Sequence, residues 1–212
     1  MNDFTLFETL LWENGSYYLL DLHLDRLADS AKTFSFPFDP DQARNVLEET
    51  VSSLKKTQKN KVKLSLENNG STDTQHSVLK DPPEIPVKIT FSGTETDPDD
   101  IFYYHKTSRR DLYDNELEKY RKKGFFDVIF TNRKKQITEG CITNVLIKKG
   151  KEYFTPPVKA GLLNGVYRQF LLGNPSFPIE EKILYKKDLL SADQVFLVNS
   201  VRKILTATTL DI

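Results

Sequence analysis

Hydrophobic and polar positions along the chain alternate between strand-like and helix-like periods. "FTLFETLLW" (4–12) is dense in β-formers, "ENGS" supplies a turn and "YYLLDL" resumes an extended pattern, so Asn14-Gly15 marks a hairpin. In "DLHLDRLADSAKTFSF" the residues Leu22, Leu24, Leu27, Ala28 and Ala31 give a roughly helical apolar face, and Pro37 and Pro40 end the segment. "DPDQARNVLEETVSSLKKTQ" opens on an acidic cap and reads as a second helix. "VKLSLE" alternates as a strand, a polar turn surrounds residues 68–74, and "VKITFS" is another strand. Together these predict an N-terminal α+β domain over residues 1–95.

"GTETDPDD" (93–100) is acidic and holds a glycine and a proline, which reads as a linker and puts the domain boundary at 96–105. Beyond it, "ELEKYRKKG" is helical and stops at Gly124. "DVIFTN", "QITEG", "NVLIKKG", "EYFTPP" and "VFLVNS" are short strand-like pieces between turn residues. "LNGVYRQFLLG" and "KDLLSAD" read as helices. The expectation is a second, C-terminal domain over 106–212 and a ligand pocket where the two domains meet.

Composition narrows the function classes. Basic and acidic residues number 30 each among 212, so no broad field for nucleic acid or an anionic membrane surface is implied. No apolar run approaches the ~20 residues of a membrane span. The N-terminus lacks the charged and apolar regions of a secretory signal, and the one cysteine, Cys141, excludes an internal disulfide and fits a reducing cytoplasm. His23, His76 and His105 are far apart, which argues against a metal site.

Some stretches carry chemistry. "YYHKTSRR" brings Lys106 to the end of an aromatic run, next to His105. "ITEG" places Glu139 between strands, where an unpaired carboxylate would be costly if buried. "LNGVYRQF" sets a glycine before a helix, leaving N–H groups for an anion. "VFLVNSVR" offers a hydroxyl and backbone donors at the end of a strand. A lysine, an acid, an arginine and two anion-ready turns could serve a phosphorylated cofactor. Spacing alone leaves them equally readable as surface residues.

Taken in order, "FETL", "HLDRLADSAKTFSF", "YHKTSRRDLYD", "ITEGCITNVLI", "FTPPVKAGLLNGVYRQFLL" and "VFLVNSVR" resemble the fold-type IV pyridoxal-phosphate enzymes, the class IV aminotransferase family. The wording "HKTSRR" and "GLLNGVYRQ" is most similar to the 4-amino-4-deoxychorismate lyase branch, especially lyase domains fused behind aminodeoxychorismate synthase. The resemblance implies a two-domain α+β architecture with pyridoxal 5'-phosphate bound between the domains. It implies that Lys106 holds the cofactor covalently and that Glu139 keeps its pyridine nitrogen protonated. Arg26, Val166, Tyr167, Ser200 and Val201 match positions that bind its phosphate, the last four through backbone or hydroxyl groups. Arg110 and Thr9 are candidates for substrate contact. His105 is expected to face away from Lys106, because adjacent strand residues point to opposite faces. Arg168 reads as a solvated helix position.

The implied reaction is cleavage of 4-amino-4-deoxychorismate to 4-aminobenzoate and pyruvate, in folate biosynthesis. Amino-acid transamination on the same residues is the alternative, and a degenerate binding module on the same fold is a third reading. The resemblance further implies a homodimer and allows for a synthase partner. The stretch that usually precedes "FET" in the family is short here, which suits a domain evolved as, or from, the tail of a fusion protein.

Overall fold

The computed structural model describes residues 4–80 and 84–209. The chain divides into two compact units, one formed by Met1–Asp81 with His105–Arg109, the other by Pro82–Tyr104 with Arg110–Ile212.

In the first unit β1 (Leu6–Glu13) and β2 (Ser16–Tyr17) form the expected hairpin, with Glu13 opposite Ser16. Asn14 and Gly15 adopt φ of 54° and 83°, the paired left-handed conformation that a two-residue turn needs to follow the strand twist. The extended pattern does not continue past Tyr17. Leu19 is left-handed and α1 (Leu20–Phe34) begins directly after it, because Leu20, Leu24, Leu27 and Ala31 recur at helical spacing. α2 (Pro40–Val51) starts at Asp39, whose Oδ1 accepts the N–H groups of Asp41 and Gln42 at 2.9 and 3.2 Å, with proline at the first helical position.

β3 (Asn60–Leu66) pairs with β1 and buries Val62, Leu64 and Leu66 completely. β4 (Thr72–Val78) completes an antiparallel sheet of order β2-β1-β3-β4. "TDTQHSV" carries no apolar alternation because it is a mostly exposed edge strand, so its pairing was not visible in the hydrophobic pattern.

β5 (Val87–Thr96) corrects the expected boundary. It contains "VKITFS" and the beginning of the supposed linker, and it belongs to the second unit. α3 (Asp111–Arg121), β6 (Asp127–Asn132), β7 (Ile137–Gly140), β8 (Asn144–Lys149), β9 (Glu152–Thr155), α4 (Val166–Leu172), β10 (Ile179–Glu181), α5 (Lys186–Leu190), β11 (Gln194–Asn199) and β12 (Lys203–Thr209) follow. The sheet order is β10-β9-β8-β11-β12-β5-β6-β7. β5 runs parallel to both of its neighbours, and Val87, Ile89 and Phe91 pack with Ile129, Val145, Leu197 and Leu205 in one core. A strand paired on both edges in this core cannot also serve the first unit. The true return crossing is His105–Arg109, so Lys106 lies in the first unit rather than at the head of the second. Among the described residues no helix is long and apolar enough to cross a membrane.

Candidate active site

Strand alternation in β1 sorts its residues onto two faces. Glu8 points toward α1 and is almost wholly buried, 1% exposed. Arg26 reaches back from α1 with Nε donating to Glu8 Oε1 at 2.8 Å and Nη2 donating to Oε2 at 2.6 Å. His23, one turn earlier, donates from Nδ1 to the same Oε2 at 2.6 Å. Burial alone would raise the Glu8 pKa, but the charge of Arg26 and the contact with His23 outweigh it and hold the carboxyl at about 2. Burial dominates for His23 and pushes its pKa down, so the imidazole stays neutral at pH 7 and its bond to Glu8 is a hydrogen bond. Arg26 is therefore a guanidinium with a fixed orientation.

Phe7 and Thr9 lie on the other face of β1. The segment carrying Lys106 is fastened alongside. The Phe7 N–H donates to the Lys106 carbonyl at 3.0 Å, the Ser108 N–H donates to the Thr5 carbonyl at 2.9 Å, and Leu6 bridges Thr107. The Lys106 ammonium stands over the Phe7 ring, 4.6 Å from its centroid. His105 turns the opposite way, its Nδ1 2.9 Å from the Ser30 hydroxyl and its ring edge-on to Phe34.

The second unit carries Glu139 near the end of β7, 6% exposed. Its Oε1 accepts the Tyr113 hydroxyl at 2.9 Å and the Leu163 N–H at 3.2 Å, and its Oε2 accepts the Asn144 amide at 3.3 Å. Burial and the neighbouring carboxylate push the Tyr113 pKa well up, which keeps the phenol a donor. The turn after Glu139 is built on Asp127. Asp127 Oδ1 accepts the N–H groups of Val128 and Cys141, both at 2.8 Å. Its Oδ2 accepts the Thr143 hydroxyl at 2.6 Å and the Ile142 N–H at 3.3 Å. A β-carbon on Gly140 would clash with Asp127 Oδ2 and Thr143 Oγ1, so a side chain here would disturb the turn that Asp127 organises.

Arg110 lies at the N-terminal end of α3. It donates from Nε to Asp114 at 2.7 Å and from Nη2 to the Cys141 carbonyl at 3.0 Å, bracing the same turn. Val166 and Tyr167 open α4 after Gly165, which provides no side-chain cap. Arg168 is not solvated as expected. It is 3% exposed, donates to Asn164 at 3.0 Å and to the Pro156 carbonyl at 2.8 Å, and pairs with Glu181. The inward side of α4 meets β11 and β10, and the guanidinium bridges from Pro156, just after β9, to Glu181 in β10.

Ser200 and Val201 follow β11, but the Val201 N–H is already taken. Asn199 Oδ1 accepts it at 3.0 Å and accepts the Arg202 N–H at 2.7 Å. Asn199 also donates to the Ile142 carbonyl at 3.2 Å, joining this turn to the one after Glu139. Among the described residues no cluster of His, Cys, Asp and Glu could hold a metal ion.

The first unit thus gathers Lys106, Phe7 and Thr9 on one face of its sheet and Glu8, His23 and Arg26 on the other. The second gathers Glu139, the start of α4 and the turn at Ser200. Tyr113, Asn144, Asp127 and Asn199 escaped sequence reasoning as functional supports. Asn144 alone had a signal, standing five residues after Glu139 in "EGCITN".

The family model for amino-transferase class IV matches residues 5–210. A Schizosaccharomyces pombe protein assigned as an aminodeoxychorismate lyase is 32% identical over 214 aligned residues, covering 96% of this chain and 89% of that protein. The crystal structure of a Mesorhizobium loti protein assigned as an amino-acid aminotransferase superposes with a TM-score of 0.90 at 33% identity, covering 98% of this chain and all of that one. A Mycobacterium tuberculosis protein assigned as an aminotransferase, solved in a PLP-bound form, shares the fold with a TM-score of 0.81 at 23% identity, covering 97% of this chain and 81% of that one.

Proposed function

The chain belongs to the amino-transferase class IV family, and from that premise we propose that it is a pyridoxal 5'-phosphate enzyme converting 4-amino-4-deoxychorismate to 4-aminobenzoate and pyruvate. The observation that carries the cofactor assignment is the Glu139 carboxylate, buried and oriented by Tyr113, Asn144 and the Leu163 N–H. A carboxyl acceptor so held fits the protonated nitrogen of a pyridine ring. The lyase assignment is supported by the lyase-named relative that matches nearly the whole chain.

When bound, the cofactor supplies an electrophilic carbon for the substrate amine and a ring that withdraws electrons. Lys106 would hold it covalently and Glu139 would keep its ring nitrogen protonated. Arg26 suits the phosphate dianion because Glu8 fixes the plane of its fork of donors. Ser200 would add its hydroxyl, and Val166 and Tyr167 their position at the start of α4. Val201 shapes that turn while its N–H remains with Asn199.

Lys106 Nζ is the base in this reading. It removes the proton from the ring carbon that bears nitrogen. Loss of that proton and cleavage of the carbon–oxygen bond to the enolpyruvyl group leave an aromatic ring. The departing enolpyruvate takes up one proton to become pyruvate, so the proton gained by Lys106 balances the reaction. Aromatisation supplies much of the driving force, and the protein's task is mainly orientation. Thr9, on the Lys106 side of β1, faces the substrate.

Transamination would use the same residues, and the aminotransferase-named structure that superposes over 98% of the chain favours it as a second reading. One experiment separates the two. One portion of the holoprotein is reduced with borohydride and mapped by peptide mass, and an untreated portion is assayed for pyruvate from 4-amino-4-deoxychorismate with no oxo acid added. An adduct on Lys106 with pyruvate release supports the lyase. An adduct on Lys106 with turnover only when an oxo acid is present supports the aminotransferase. Adducts scattered over other lysines reject both.

A further inference from the structure

Phe7 carries a second lysine. Residues opposite each other in an antiparallel pair share a face, and here Phe7 faces Ser65 while Thr9 faces Lys63. Lys63 is therefore the diagonal neighbour of Phe7, and its Nζ stands over the ring at 4.8 Å from the centroid. Lys106 Nζ stands over the same ring at 4.6 Å. The opposite face of these strands carries Leu6, Leu10, Leu64 and Leu66, all fully buried, and the Glu8 pair with Arg26. Lys63 is half-buried, and among the described residues no ion pair includes it.

Two ammonium groups around one ring repel each other, and a cation–π contact is weak where water reaches it. An anion in this place would relieve that repulsion. We propose that Lys63 recognises a carboxylate of the substrate, with the Thr9 hydroxyl directly across from it. This rests on the reading of Lys106 as the cofactor lysine. Once Lys106 is committed to the cofactor, Lys63 is the cation left over Phe7. A substrate that carries its amine and its carboxylate on opposite sides of a ring offers one group to each lysine. An α-amino acid, whose carboxylate is one carbon from its amine, does not span them in this way. Lys63 thereby selects amines that carry a carboxylate across a ring.

The test is isothermal titration of the holoprotein with 4-aminobenzoate and with aniline, its analogue without the carboxylate, on wild type, Lys63→Met and Lys63→Arg. A charge-assisted hydrogen bond of about 1.5–3 kcal/mol predicts that Lys63→Met weakens 4-aminobenzoate binding roughly tenfold or more, leaves aniline unchanged and is rescued by Lys63→Arg. Equal 4-aminobenzoate affinity in wild type and Lys63→Met, each with its borohydride adduct on Lys106, overturns the role of Lys63 alone. Absence of that adduct in wild type overturns the cofactor reading beneath it. Should Lys63→Met not fold, Lys63→Gln removes the charge in its place and is read by the same criteria.

Discussion

Gly165 lies so close to Asn144 that a β-carbon on residue 165 would clash with the Asn144 Oδ1. The same amide donates from Nδ2 to Glu139 at 3.3 Å and to the Leu163 carbonyl at 2.9 Å. Asn144 thus ties the candidate pyridine-nitrogen acid to the loop that leads into α4. The absence of one side chain at residue 165 allows that tie.

Gly165→Ala should push Asn144 aside and, through it, loosen Glu139 without touching Glu139 directly. Loss of a hydrogen bond to a charged acceptor costs about 1.5–3 kcal/mol, so cofactor affinity should fall roughly tenfold or more. Overpacking should lower stability by about 1–3 kcal/mol. An absorbance titration with pyridoxal phosphate and a urea melt measure the two effects. Unchanged cofactor affinity would show that Asn144 has no part in holding Glu139.

Asp127 acts on Glu139 from below, through the turn. Its carboxylate organises Val128, Cys141, Ile142 and Thr143. Asp127→Ala strands those donors in the interior, where each unsatisfied group costs about 1–3 kcal/mol. The variant should be strongly destabilised. Asp127→Asn retains one good acceptor but sets an amide against the other donors, and should fall between the two in chemical denaturation. An alanine variant as stable as wild type would remove Asp127 from this account.

Glu8 makes stability depend on acid. Its folded-state pKa of about 2 lies below its ordinary 4.5, so the folded state binds fewer protons than the unfolded state between those values. The stabilisation is present above pH 4.5 and is lost as pH falls toward 2. At about 1.4 kcal/mol per pKa unit, the full difference is about 3 kcal/mol. Urea midpoints between pH 6 and pH 2 should show this loss in wild type, and Glu8→Gln should show a shallower acid limb. Parallel curves would assign the acid sensitivity to other carboxylates.

Much of this arrangement was legible in the chain because it is local. The Asn14-Gly15 turn, the Asp39 cap and the apolar face of α1 depend on residues a few positions apart. The candidates Glu139 and Arg26 likewise stand within the short motifs "ITEG" and "HLDR", and their roles remain proposals. What escaped depends on distant pairing. β5 has the alternation of any strand, and only partners at Ile129 and Leu205 decide which sheet it joins. Tyr113 is an ordinary helix residue until its hydroxyl meets Glu139, 26 positions away. Lys63 looked like any strand lysine until the diagonal to Phe7 set it beside Lys106. The Val201 N–H could be assigned to a phosphate only while the reach of the Asn199 side chain was unknown.

Arg26 has two roles that separate experimentally. Arg26→Met leaves Glu8 as a buried carboxylate without its cation, and breaking such a pair costs about 3–5 kcal/mol. Lost cofactor binding in that variant would therefore be uninformative, since the unit itself is weakened. The double variant Glu8→Gln with Arg26→Met removes both charges, and His23 Nδ1–H retains a carbonyl acceptor at residue 8. It should recover most of the stability lost in Arg26→Met. If Arg26 also binds the phosphate, cofactor affinity should remain well below wild type in this restored background, by roughly tenfold or more for a charge-assisted contact. Wild-type affinity in the double variant would make Arg26 purely the counter-charge of Glu8 and would move phosphate recognition to the second unit.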